Sequence, residues 1–164
     1  IGPSLNLHLW RTEDRRYKLD LRMPIRAAIT IAGEVEDVGW VFSPRLNVDI
    51  IDVAGFAGWD MGILTGPLFG SQRNHEYFYS VAPQYATASR PAFDAEGGYA
   101  GSQFLMSLSK RFPKFWLGAF ARWDSLKGAA FVDSPLVESE QAFAAGIGLA
   151  WVLGESSTRV EADE

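Results

Sequence analysis

QAFAAGIGLAWVL, residues 141–153, is the stretch whose reading decides the fold. Phe143, Ala145, Ile147, Leu149, Trp151 and Leu153 fall on one parity, and Ala142, Ala144, Gly146, Gly148 and Ala150 on the other. A period of two is the signature of a β-strand, whose successive side chains point to opposite faces. One face here is bulky and apolar and the other is merely small, whereas a soluble sandwich places polar residues on its second face. In a transmembrane barrel the large residues face lipid and the small or polar ones face the lumen, over strands of about 9 to 11 residues. The competing class is a soluble, lipocalin-like barrel with aromatics in its core.

Six further stretches alternate in the same way. Residues 17–31 are the clearest, with Tyr17, Leu19, Leu21, Met23, Ile25, Ala27, Ile29 and Ile31 opposite Lys18, Asp20, Arg22, Pro24, Arg26, Ala28 and Thr30. Residues 40–50 set Trp40, Phe42, Leu46, Val48 and Ile50 against Ser43, Arg45, Asn47 and Asp49. Residues 3–10, 59–69, 99–110 and 115–125 complete a set of seven expected strands, the last two forming a hairpin around KRFPK. The expected lipid face contains Leu21, Ile25, Ile29, Val48, Ile63, Ile147 and Leu149. Trp10, Tyr17, Trp40, Phe42, Trp59, Phe115, Trp116, Trp123, Phe143 and Trp151 lie near strand ends, where amphipathic rings sit at headgroup level.

Outer-membrane barrels have short periplasmic turns and longer external loops. With a periplasmic C-terminus, RTEDRR, DVAGFAG and KRFPK are periplasmic, while GEVEDVG, the segment 71–99 and the 125–141 connection are external, so the two longest connections fall outside. Seven strands then start the chain on the external side, whereas a complete bacterial barrel has an even number of strands and both termini in the periplasm. The expectation is an all-β chain, an antiparallel transmembrane β-barrel of outer-membrane type, holding about seven strands of a larger even-stranded barrel. Residues 1–153 supply the strands and loops, and residues 154–164 form a polar, acidic periplasmic tail expected to be disordered.

Composition narrows the function. The 164 residues carry a net charge of −5, which argues against nucleic acid as a partner, since that binding relies on Lys and Arg neutralising phosphates. The absence of cysteine removes disulfides and thiolate chemistry. No apolar run approaches the roughly 18 to 20 residues of a spanning helix, so any membrane entry is by strands. The two histidines are far apart and no carboxylate cluster has ligand spacing, so neither a metal nor a cofactor is expected.

The segment 71–99 holds six aromatics, two prolines and His75. His75, Glu76 and Ser71 or Ser80 are residue types of an acyl-transfer triad, but a triad is recognised by geometry and an oxyanion hole, not by residue types. The structural reading is that Tyr77, Phe78 and Tyr79 continue a strand above the bilayer, with His75, Tyr85 and Phe93 in an ordered external cap and Gly97-Gly98 re-entering the sheet. Lys18, Asp20, Arg22, Arg26, Arg45, Asp49, Asp60, Arg122 and Asp124 share the inward parity and are expected to line the lumen, where charges need partners. An ion-paired lumen either stabilises a narrow barrel or lines a solute path.

GPSLNLHLWR, LDLRMPIRAAITI, GWVFSPRLNVDI, GILTGPLFG, EYFYSVAPQYATASRPAFDAEGGY, FWLGAFARWDSL and DSPLVESEQAFAAGIGLAWVLGESS together resemble the C-terminal part of the MipA/OmpV family of Gram-negative outer-membrane proteins. The YF-x-SV-x-P…RPAFDAEGGY block and DSPLV are the most specific pieces. The resemblance implies an outer-membrane barrel without enzymatic activity, surrounded by outer-membrane lipid. For the family's namesake it implies a scaffold joining a lytic transglycosylase to a peptidoglycan synthase; other members are associated with adhesion or drug susceptibility. The chain departs from the usual barrel pattern by ending in GESSTRVEADE rather than on an aromatic. Peptidoglycan enzymes work in the periplasm, so Arg11, Arg15, Arg16, Lys110, Arg111 and Lys114 in two basic turns are candidate partner contacts; the alternative is that these charges only hold the turns in water. The alternative functions are a small-solute channel and a lipid-modifying enzyme.

Overall fold

The alternating segments become eight antiparallel strands in a single sheet. The structure is a computed structural model that describes residues 1–31 and 35–154. Its strands are β1 (Ser4–Arg11), β2 (Tyr17–Thr30), β3 (Glu36–Phe42), β4 (Arg45–Ile50), β5 (Trp59–Gly70), β6 (Gly98–Arg111), β7 (Phe115–Ser125) and β8 (Gln141–Trp151). One helix, α1 (Gln72–Tyr79), and two 3₁₀ turns, Val53–Gly55 and Pro83–Tyr85, complete the elements. The expected acidic tail and part of the acidic turn lie outside the described residues.

The strands follow chain order from β1 at one edge to β8 at the other, with β3 and β4 each pairing β2 and β5. The expected strand 40–50 is two strands, since β3 and β4 both lie between β2 and β5 and are separated at Ser43-Pro44. Pro44 has no N–H to give a ladder. Gly66 of β5 lies against the break, where a Cβ would collide with the Pro44 carbonyl oxygen. A second departure concerns GEVEDVG: Glu36, Asp37 and Val38 belong to β3 rather than to a turn.

The register separates two faces. Leu21 pairs with Leu46, Leu46 with Thr65, Val48 with Ile63, Ile63 with Met106, and Ala119 with Ile147, all on one side. Asp20, Asn47, Gly62 and Ser107 occupy the opposite side. The charged side is the inside of a curl, because Val41 of β3, Arg122 and Asp124 of β7 and Ala142 of β8 line one cavity. In a flat sheet β3 and β8 would stand about 19 Å apart.

Burial is inverted relative to a soluble barrel. Among the described residues the buried apolar ones are Val38, Val81, Ala95, Ala129 and Phe131, four of them in the connections. On β8, by contrast, Ile147 is 84% exposed, Phe143 73% and Trp151 66%. The sheet holds its shape by its ladders and turns, and presents its large apolar side chains outward.

The short connections, residues 12–16, 51–58 and 112–114, share one end of the sheet. The longer ones, 71–97 and 126–140, share the other end with the β2–β3 connection.

Candidate functional site

At the long-loop end the two longest connections pack on each other. Ser71 caps α1, its Oγ accepting from the Asn74 N–H at 3.3 Å and from the Trp40 N–H at 3.0 Å. Gln72 and Glu76, one turn apart, bond at 2.7 Å, and Arg73 pairs with Asp37 of β3 at 2.9 Å. These local bonds make a helix of Tyr77, Phe78 and Tyr79, which therefore do not continue a strand. A serine at N-cap followed by residues able to pair at i, i+4 favours helix over an extended run. Beyond α1 the chain returns through a bridge between Val81 and Phe93, while Tyr85 remains exposed.

Residues 126–140 close over this helix. Phe131, 2% exposed, stacks on Tyr79 at 3.6 Å and meets His75 edge-on at 4.7 Å. Ser134 donates its hydroxyl to the Tyr79 carbonyl at 2.6 Å, and Ala95 and Ala129 fill the remaining core. The loop 71–97 is thus half of a two-loop cap, and its other half lies some 55 residues further along the chain.

His75 is a core residue of this cap, 1% exposed. Its Nδ1 lies 2.6 Å from the Glu96 carbonyl oxygen, which can only accept, so the proton sits on Nδ1. Nε2 has no hydrogen-bond partner among the described residues. Ser71 is occupied as the helix cap, Ser80 Oγ accepts from the Ala95 N–H at 2.9 Å, and Glu76 turns to Gln72. The structure therefore does not bring these residue types into a triad.

Burial raises the Tyr79 phenol above its usual value near 10. A folded-state value above the unfolded one stabilises the cap fully below the unfolded value, and that stabilisation is lost as pH rises through the folded value. Alkaline titration is expected to expose the cap to protease in the range where the Tyr79 phenolate appears. Tyr79→Phe should abolish that coincidence.

The charged face forms a second feature, at the short-turn end. Asn6, His8, Arg11, Arg15, Lys18, Asp20, Arg22, Asp49 and Ile51 line a cleft of about 920 Å³. Asp20, 7% exposed, accepts from His8 Nδ1 at 2.9 Å and pairs with Lys18 at 3.3 Å. Of the expected lumen charges the cleft gathers Lys18, Asp20, Arg22 and Asp49. Higher on the face, Arg122 holds Asp124 through two bonds of 2.7 and 3.0 Å, and Gln103 donates to the same carboxylate at 2.9 Å. Arg26 is spent on the Gly2, Pro3 and Ile25 carbonyls, and Arg45 donates to Ser43 Oγ at 3.1 Å. Asp60 stands apart, accepting from the Asp52 N–H at 3.4 Å.

Trp116 corrects the expected aromatic belt, since its register with Arg111 and Ala150 places it on the charged face. Phe120 shares that face, opposite Gly146. Trp116 covers Gly118, and Phe120 covers Gly146, where an added Cβ would strike the ring at 2.6 Å. The small residues of β7 and β8 thus make room for two inward rings.

The six basic turn residues differ in their local partners. Arg11 and Arg15 line the cleft. Arg16 lies between Asp14 and Asp52, at 3.9 and 4.0 Å, and Lys110 donates to the Ala57 carbonyl at 2.9 Å beneath the Trp59 and Phe112 rings. Arg111 stands opposite Trp116, and the Lys114 carbonyl accepts from the Val152 N–H at 3.0 Å. Sequence reasoning missed His8 in the charged set; its alternation on β1, which sets it opposite Asp20, was the available signal. It also missed Phe131, whose role depends on a contact between loops.

The fold and these features define an all-antiparallel β protein with an apolar outer face, a charged inner face and a two-loop cap at one end. Residues 1–153 match the family described as MltA-interacting protein MipA, and the chain belongs to that family. No curated protein and no solved structure matches the chain.

Proposed function

We propose that this chain forms part of the wall of an outer-membrane β-barrel that acts as a non-enzymatic scaffold, with a lytic transglycosylase as its first partner and a peptidoglycan synthase as its second. The observation that carries the membrane reading is the inverted burial: Ile25, Ile147 and Leu149 are exposed while the charges face inward. Two belts of outward aromatics frame the apolar band. Trp10, Tyr17, Trp59, Phe115 and Trp151 stand at the short-turn end, and Trp40, Phe42, Phe69, Trp123 and Phe143 at the other. Phe143 and Trp151 are eight residues apart on β8, about 26 Å along a strand. At a tilt of about 40° this projects to roughly 20 Å, close to the ~25 Å apolar band of outer-membrane barrels.

The family's description supports the transglycosylase. The synthase and the scaffold role rest on the resemblance, and the lack of an assembled triad around His75 favours a non-enzymatic reading over a lipid-modifying one. Short turns facing the periplasm would present Arg16, Lys110, Arg111 and Lys114 to such partners, and electrostatic steering would make capture salt-dependent. The test is crosslinking and pull-down from envelopes with the complete natural protein. Capture of the transglycosylase is expected, weakened when the charges of both turns are reversed. Capture unchanged by the reversal moves the interface elsewhere, and no capture at all removes the scaffold role. A charged inner face also suits a small-solute channel, and a large steady conductance in planar bilayers would rank that reading first.

A further inference from the structure

We propose that the cleft at the short-turn end is a binding site for a small, multiply charged anion bearing carboxylate or phosphate groups. The register sets three rows across β1, β2 and β4, and all but Arg45 and Asn47 of their members line the cleft. Asn6, Arg22 and Arg45 form the first, His8, Asp20 and Asn47 the second, and Arg11, Lys18 and Asp49 the third. Arg15 completes the lining from the β1–β2 turn.

The charges in this grid do not cancel. Asp20 is shared by His8 and Lys18, and Asp49 accepts from Asn47 Nδ2 at 2.9 Å. The guanidinium groups of Arg11, Arg15 and Arg22 have no carboxylate partner among the described residues. Three unpaired guanidinium groups around one cleft, in a chain whose net charge is −5, repel one another and attract an anion. Their planar forks match carboxylate and phosphate oxygens two at a time. A volume of about 920 Å³ admits a ligand with several charged groups rather than a single ion.

Arg15 holds a backbone conformation that is uncommon for a residue with a side chain. Its φ is +57°, the left-handed region that Gly and Asn occupy more readily. A turn needing only its backbone shape would be served by glycine; arginine there keeps a fork over the cleft.

This site does not depend on the scaffold reading, and it is tested without a partner protein. The complete natural protein, in detergent micelles, is titrated calorimetrically with tripolyphosphate and with citrate. Saturable binding of at least one is expected, weakening as salt is raised. The preferred probe assigns the ligand's groups as phosphate or carboxylate. Combined Arg11→Gln and Arg22→Gln should weaken binding at least tenfold, with part restored by Arg22→Lys. Arg15→Gly relieves the backbone, so a purely structural role predicts unchanged binding, whereas a ligand contact predicts a several-fold loss in a protein at least as stable. The Arg15→Gly result decides alone if the double variant does not fold. No saturable binding of either probe, or affinities that these variants leave unchanged, would overturn the proposal.

Discussion

An Ile147→Arg variant is expected to assemble poorly or not at all into lipid vesicles, while remaining unremarkable in water if the sheet is soluble. Ile147 lies midway between Phe143 and Trp151 on β8 and is 84% exposed. In a bilayer that position is near the midplane, where Arg on the lipid face of a barrel costs about 2 to 4 kcal/mol. In water an exposed apolar-to-charged change away from any contact typically shifts stability by no more than about 0.5 kcal/mol. The two environments therefore give outcomes that differ several-fold in energy. Denaturant unfolding of vesicle-inserted protein, with gel mobility as the readout of assembly, measures it. Ala144→Ser, on the opposite face of the same strand, is the control that should assemble normally. Equal stability of both variants would remove the lipid-facing assignment of β8.

The second large effect is at the other end of the molecule. Phe131→Ala removes the ring that stacks on Tyr79 at 3.6 Å and meets His75 at 4.7 Å, in a core containing only a few other buried groups. Burying such a ring and then deleting it costs about 3 to 5 kcal/mol in well-packed cores. That is enough to open a cap this small, to which the sheet contributes the small side chain of Ala100 on β6. Protease added to whole cells or vesicles should cut residues 71–97 and 126–140 rapidly in the variant and slowly in the parent, with the strands intact. Phe131→Leu should fall between. Unchanged cleavage would mean that the cap is held by its hydrogen bonds, such as Ser134 to the Tyr79 carbonyl, rather than by its rings.

What the sequence revealed follows the range of the forces involved. Strands announce themselves because alternation is local: the stretches 17–31 and 115–125 became β2 and β7 nearly residue for residue. The charged face was legible for the same reason, and Lys18, Asp20, Arg22 and Asp49 met across the ladder. Three features were not legible. α1 was hidden because its eight residues hold aromatics of strand-like character, and the decisive element is one serine hydroxyl at the N-cap. Trp116 was read with its neighbours as part of a belt, although its parity sets it with Gly118 and Arg122. The cap core joins Tyr79 to Phe131, and no periodicity reports a contact between two loops.

The up-and-down order of the strands has a kinetic consequence. From β6 onward each strand pairs only with those adjacent in sequence, and β6 and β7 are joined by residues 112–114 alone. Closing so short a loop costs little entropy and takes place early, so the β6–β7 hairpin is the natural nucleus from which pairing spreads outward. The cap must wait, because Tyr79 and Phe131 meet only after β6 and β7 have brought their loops to the same end. Folding should thus run from ladder to cap, with the last-formed contacts on the far side of the molecule from the shortest turn.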